Sequence, residues 1–213
     1  SLMLAGIMAV SMLAGCKTST TDEEKNPTTP ATPSVVTYAN DALSGAQKNV
    51  LTFKSSADLD TILKDVATNA DNLSSANIEN TFKNNFAPVE SSVGTGTKTL
   101  SDKVMDKLSG IVVNGFNSVP ADKVSQKSAI VYRISGALEE KVAIQKIVDH
   151  YADTYIKDAY FPDAVASGST KYSCTYSAEI SALKVESPEH NDQSAWVVAM
   201  VFTQNVKTQA NAE

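Results

Sequence analysis

Residues 171–184 read KYSCTYSAEISALK, and residues 195–202 read AWVVAMVF. In the first stretch Tyr172, Cys174, Tyr176, Ala178 and Ile180 alternate with Ser173, Thr175, Ser177, Glu179 and Ser181. That two-residue period predicts a strand with one packed face and one wet face. The second stretch is apolar at both parities, as a strand in the middle of a sheet would be. The polar residues Ser187–Ser194 join them, so the two runs predict an antiparallel hairpin with a loop of about eight residues. Near Ala182 and Leu183 the apolar phase shifts, which predicts a bulge or a strand end.

Working upstream, Ser128–Ile134 (SAIVYRI) reads as a further strand, broken by Gly136. Ala137–Tyr160 is the longest helical pattern, carrying Leu138, Val142, Ile144, Ile147, Val148, Tyr151, Tyr155, Ile156 and Ala159. Glu139 and Glu140 lie in its first turn, favourable to the helix dipole, and Pro162 stops it. Val50-Leu51-Thr52-Phe53 predicts a short strand. Ser55-x-x-Asp58 predicts the start of a helix with an apolar stripe from Leu59 to Leu73. A short helix capped by Ser75 carries Ile78, Phe82 and Phe86, and the stretch from Glu90 to Lys98, with Gly94 and Gly96, is a loop. Thr99-x-x-Asp102 opens another helix, with Leu100, Val104, Leu108 and Ile111 on one side. Strands and helices do not alternate strictly. The fold class predicted is α+β: several helices packed on an antiparallel sheet of about four strands, ending in the C-terminal β-hairpin.

The N-terminal part is different in kind. Residues 1–15 hold no charge and eleven apolar residues. The run Leu2–Ala14 would reach only ~20 Å as a helix, short of the ~30 Å hydrocarbon core, which suits a signal peptide better than a membrane span. No basic n-region or initiator Met precedes it, so the first residues of a precursor are expected to be missing. The run closes on Leu13-Ala14-Gly15-Cys16, which resembles the lipobox of bacterial lipoproteins. The resemblance covers residues 1–16 alone. It implies cleavage before Cys16 and diacylglycerol on the Cys16 thiol, the side chain nucleophilic enough for that transfer. Two acyl chains are the number that stable anchoring needs.

Residues 17–34, KTSTTDEEKNPTTPATPS, contain six Thr and three Pro, and Ala31 is the one apolar residue. Such a segment cannot bury enough surface to offset its ordering entropy. It is expected to be an extended tether holding the domain off the bilayer. The organisation predicted is therefore a signal peptide over 1–15, the lipidated Cys16 and tether over 16–34, and one α+β domain over 35–213. All seven Tyr, all six Phe and the single Trp fall in that last part.

Composition narrows the function. The net charge of −6 argues against nucleic-acid binding, which needs a concentrated basic surface. The two cysteines cannot form a disulfide framework. With Cys16 lipidated, Cys174 is a single thiol, expected to be a small buried hydrophobe on its strand.

Motifs that carry chemistry are few. The two histidines, His150 and His190, form no ligand cluster with cysteine, so no metal is expected. The chain has no phosphate loop and no Gly-x-Ser-x-Gly elbow, and no cofactor is implied. Asp149 and His150 are adjacent on a helix and point about 100° apart, which does not suit a catalytic pair. Glu189-His190-Asn191-Asp192 collects oxygen atoms without the calcium-loop pattern and reads as a solvated hairpin loop. Tyr172, Tyr176 and Trp196 on neighbouring strands could form a stacking platform for sugars, or the core beneath the helices. Tyr151, Tyr155 and Tyr160 recur along the long helix, where their hydroxyls could reach the rim of a pocket. The catalytic residues, if any, are unknown. The expected function is a binding or interaction module at the bacterial envelope. Its partners are the membrane, through the anchor, and an envelope ligand or protein. An envelope hydrolase using His150 or His190 and a structural subunit of an envelope complex are the alternatives.

Overall fold

Gly136 lies so close to Ser194 that a Cβ on it would sit 2.6 Å from the Ser194 carbonyl carbon, and its N–H donates to the Ser194 carbonyl at 2.8 Å. That contact marks one end of the central sheet in a computed structural model of the chain, which describes residues 33–69, 86–90, 98–157, 159–187 and 192–209. In chain order the elements are α1 (Pro33–Ala42), α2 (Gly45–Val50), β1 (Phe53–Lys54), α3 (Ala57–Ala67), β2 (Val89–Glu90), α4 (Leu100–Met105), β3 (Ser125–Ser135), α5 (Glu140–Tyr155), β4 (Ala164–Ser167), β5 (Thr170–Glu186) and β6 (Ser194–Thr208). The sheet runs β1-β5-β6-β3-β2, with β4 also on β5. All its pairings are antiparallel except β1 with β5, which is parallel.

The domain is thus α+β, as its patterning predicts, but the sheet has six strands rather than about four and is partly parallel. The hairpin β5–β6 forms with a continuous register from Tyr172↔Thr208 to Glu186↔Ser194. The phase shift at Ala182–Leu183 is therefore neither a bulge nor a strand end. Its cause is the cover. Ala178 and Ile180 face α1 and α5 on one side of the sheet. Leu183 and Val185 face α3 on the other, against Leu59, Leu63 and Val66. Helices lie on both faces, so β6 is buried on both, from Val197 to Phe202.

Two of the small elements differ from the sequence expectation for local reasons. Val50 ends α2 instead of opening a strand, because Ser44 and Gln47 form a capping box that starts a helix at Gly45. The strand that remains, Phe53–Lys54, is bracketed by Asn40, whose side-chain amide donates to the Phe53 carbonyl at 2.9 Å and accepts from its N–H at 2.8 Å. The Asn40 side chain thereby imitates one rung of a neighbouring strand. The N-cap of α3 is Ser56, one residue beyond the expected position. α1 opens with Pro33 in its first turn, where the missing N–H costs nothing, so ordered helix begins two residues before the expected tether boundary.

α4 has the expected Thr99–Asp102 capping box, with Asp102 Oδ2 accepting from the Thr99 N–H at 2.8 Å. It ends at Met105, and Ile111–Val113 then run along the edge of β3 instead of continuing the helix stripe. α5 is shorter than its pattern at both ends, and Val142 is exposed rather than packed. The turn between β4 and β5 holds Gly168 at φ +59, the conformation that a two-residue hairpin of this kind requires. The short helix expected after Ser75 lies outside the described residues, apart from the exposed Phe86. No helix among the described residues is long and apolar enough to cross a membrane.

Candidate functional site

The outer edge of β3 is covered in pieces. At Lys127 both backbone groups are engaged: its N–H donates to the Ile111 carbonyl and its carbonyl accepts from the Val113 N–H, each at 2.8 Å. Tyr132 and Arg133 pair with β2. The Val131 N–H is held by the Ser101 hydroxyl of α4 at 2.9 Å. Backbone groups on a strand alternate in direction, so the N–H and C=O of Ala129 point outward as well, between these two covered positions. Among the described residues neither has a hydrogen-bond partner.

Ala129 lines a cavity of about 390 Å³. One wall is aromatic and comes from distant parts of the chain: Tyr151 and Tyr155 from α5, Tyr160 and Phe161 from the turn after it, Phe116 from the loop before β3, and Phe202 from β6. The rings pack on each other. Tyr151 stacks on Phe202 with centroids 5.0 Å apart and planes 12° from parallel. Tyr155 meets Tyr160 edge to face at 5.0 Å. Tyr160 is the most open of them, at 44% exposure, with the Lys157 ammonium 5.6 Å from its centroid.

The remaining described lining mixes apolar residues, Met105 and Ile130 among them, with polar ones. Asn114 and Asn117 sit on the exposed rim, Ser128 beside the strand edge, and Glu90, Thr99 and Asp102 on the side of α4. Asp102 is already occupied by its capping box. Burial raises the Tyr151 phenol well above its ordinary range, with Tyr132, Tyr155 and Glu90 adding to the effect. Tyr151 therefore stays protonated at neutral pH and is a hydrogen-bond donor. The described lining residues include two carboxylates and no Lys, Arg or His, so none of them would neutralise an anion.

A buried polar chain fixes the aromatic wall. Gln126 donates to the Ser118 carbonyl at 2.9 Å and to Gln204 Oε1 at 2.7 Å. Gln204, fully buried, donates to the Phe116 carbonyl and to the Tyr176 hydroxyl, both at 3.0 Å. The Tyr176 hydroxyl donates on to the Pro162 carbonyl at 2.7 Å. The two loops that supply Phe116 and Phe161 are thus tied to the sheet by bonds that all run in one direction.

Of the residues singled out in the sequence, Tyr172, Tyr176 and Trp196 do not form one surface. Tyr172 is buried with Val165 and Val206. Tyr176 stands behind the cavity wall, its ring 5.0 Å from Phe161 and 5.6 Å from Phe116. Trp196 lies toward the opposite end of the sheet. It pairs with Lys184 while Tyr176 pairs with Gln204, eight residues along β6 or about 26 Å away. Its indole N–H donates to the Leu138 carbonyl at 2.9 Å, and the Lys184 ammonium lies 5.9 Å from its ring. Cys174 is half-buried, and desolvation raises its thiol above the ordinary value. His150 rests against the Tyr132 ring at 5.6 Å, and Asp149 is not a hydrogen-bond partner to it. His190 and most of the Glu189–Asp192 loop lie outside the described residues, as does Cys16. The recurrence of Tyr151, Tyr155 and Tyr160 is the sequence signal for the cavity. Phe116 and Ala129 carry none.

No protein-family model matches the chain, and no curated protein and no solved structure matches it.

Proposed function

We propose that this chain is a lipid-anchored extracytoplasmic protein of a bacterial envelope, and that its α+β domain is a binding module for a small uncharged envelope ligand. The observation that carries the binding reading is the tyrosine-walled cavity at the edge of β3, in which an open backbone edge and the Asn114 and Asn117 side chains converge on aromatic surface. Its volume of about 390 Å³ falls within the range of small-molecule sites. The Leu13-Ala14-Gly15-Cys16 sequence supports the anchor, and the Thr/Pro-rich residues after it support a tether.

Two experiments test the proposal separately. Mass spectrometry of the chain produced in a bacterial host is expected to find a mature N-terminus at Cys16 carrying diacylglycerol. An unmodified Cys16 in a chain that keeps residues 1–15 overturns the anchor. For the domain, NMR titration with neutral, anionic and cationic solutes is expected to move Tyr155 and Tyr160 with the neutral ones, and to return each solute unchanged. Turnover of a solute without saturable binding at these residues would favour the hydrolase instead.

A further inference from the structure

Residue parity on β5 decides which backbone groups face β6 and which face away. The Ser187 N–H donates across to the Gln193 carbonyl and the Lys171 carbonyl accepts from the Gln209 N–H, so odd-numbered residues bond towards β6. The Cys174 N–H donates outward to the Asp163 carbonyl, so even-numbered residues bond away from it. That outer edge is covered by β4 at Thr170–Ser173 and by β1 at Ala178 and Glu179. After Lys54 the chain leaves the edge for α3, which packs on a face of the sheet against Leu183 and Val185. The outward groups of Ala182, Lys184 and Glu186 are left with no hydrogen-bond partner among the described residues. From Ala182 to Glu186 this open edge is about 13 Å long. A row of unpaired main-chain groups of this kind is a template for another strand.

The side chains along the edge say which strand fits. Lys184 and Glu186 are exposed, share one face of the sheet, and have no ion-pair partner among the described residues. Val185 between them points to the other face, into the core beneath α3. Antiparallel strands set directly opposite residues side by side on one face. When two copies of this edge meet about a two-fold axis at Val185, Lys184 of each copy stands opposite Glu186 of the other. Each of these two pairs exchanges two backbone hydrogen bonds, and the β-branched Val185 side chains meet on the axis. Sliding one copy by two residues is the smallest step that keeps outward groups facing each other. It sets Lys184 against Lys184 in one direction and Glu186 against Glu186 in the other, both repulsive. The edge is complementary to itself in one register.

We propose that two copies of the chain pair through their β5 edges, antiparallel about Val185, and join their sheets into one. β5 and β3 lie on opposite sides of β6, so this interface does not use the cavity and stands independently of it.

The test is sedimentation equilibrium of the full chain in a neutral detergent over about 10 µM to 1 mM, where a short ladder is expected to give a weak monomer–dimer equilibrium. Lys184→Glu and Glu186→Lys each turn two attractive pairs into two repulsive ones. Each is expected to weaken the dimer about tenfold or more and, at an exposed position, to leave the urea midpoint in place. An equimolar mixture of the two variants sets Glu opposite Lys at both pairs again. It is expected to form a heterodimer within about threefold of the parent affinity, as is the homodimer of the double variant carrying both changes. A chain that stays monomeric throughout the range overturns the proposal. A dimer that neither single variant weakens places the interface elsewhere and overturns it too. Weakening by both variants without rescue in the mixture overturns the register about Val185.

Discussion

Gln204 donates a hydrogen bond to the Tyr176 hydroxyl at 3.0 Å, and that hydroxyl in turn donates a hydrogen bond to the Pro162 carbonyl at 2.7 Å. The pair couples the centre of β6 to the loop that carries Phe161. Burial raises the Tyr176 phenol above its ordinary value, and the bond from Gln204 only partly offsets this, so the hydroxyl stays a donor through the neutral range. Replacing Gln204 by Leu strands the Phe116 carbonyl and takes away one of the two acceptors of the Gln126 amide, leaving it the Ser118 carbonyl. Urea denaturation is expected to show a loss of about 2–3 kcal/mol. The double variant Gln126→Leu with Gln204→Leu should lose less than the sum of the singles, because both ends of one bond are then gone. Strict additivity would show that the chain of hydrogen bonds does not act as a unit.

Two adjacent aromatic residues should separate binding from stability. Phe161 is 3% exposed and packs on Phe116, Tyr176 and Phe202, while Tyr160 is 44% exposed. Phe161→Ala is expected to cost about 3–5 kcal/mol of stability. Tyr160→Ala is expected to stay within about 0.5 kcal/mol of the parent. A large stability loss at Tyr160 would mean that its ring is structural.

Gly136 has no room for a side chain. A Cβ there would meet the Ser194 carbonyl carbon at 2.6 Å and its Cβ at 2.7 Å. Gly136→Ala is expected to destabilise by about 1–3 kcal/mol. Removing the Ser194 side chain as well, with Ser194→Gly, should restore only part, because the backbone carbon is among the atoms in the way. Full rescue in thermal unfolding would place the clash in the side chain alone.

Glu140 links stability to pH. Burial raises its carboxyl above the ordinary 4.5, against a lowering by the Ser34 hydroxyl bond. The folded state therefore holds this proton more tightly than the unfolded chain. Its contribution is most favourable below pH 4.5, falls as pH rises through the raised folded value, and is constant above it. Asp149, also raised by burial and by Asp153, acts in the same direction. Glu140→Gln should flatten part of this slope and raise the urea midpoint at pH 7 relative to the parent. A variant less stable at pH 7 and unchanged in slope would contradict the assignment.

Cys174 should be sluggish towards alkylation. Desolvation raises its thiol and keeps the thiolate fraction low. Iodoacetamide labelling with peptide mapping is expected to modify Cys174 more slowly in the folded chain than in urea. Equal rates would show an open, reactive thiol.

Much of the secondary structure was legible because it depends on neighbours in sequence. The alternation from Tyr172 to Ile180, the apolar run Ala195–Phe202, the stripe of α5 and the Thr99–Asp102 capping box all became the elements they predict. The strands β1, β2 and β4 were not legible as drawn. Each is two to four residues long and exists through pairing with a distant partner, so local pattern has little to act on. Tyr172, Tyr176 and Trp196 share a face by parity, but parity fixes a side of the sheet and not a position along it.

Periodicity, capping and composition are local properties, and they sufficed to mark the main strands and helices and to set residues 1–34 apart in kind from residues 35–213. The cover on both faces of the sheet arose only in the folded chain, and it turned the Ala182–Leu183 phase shift from an expected bulge into a change of cover. Folding alone, too, left the outward backbone groups of Ala129 without a partner among the described residues and placed them in a cavity with rings from residues 116, 151–161 and 202. The physical reason is that a strand's pattern encodes its faces. Its edges are backbone, the same at every residue, and which of them stays uncovered depends on what else the chain brings there.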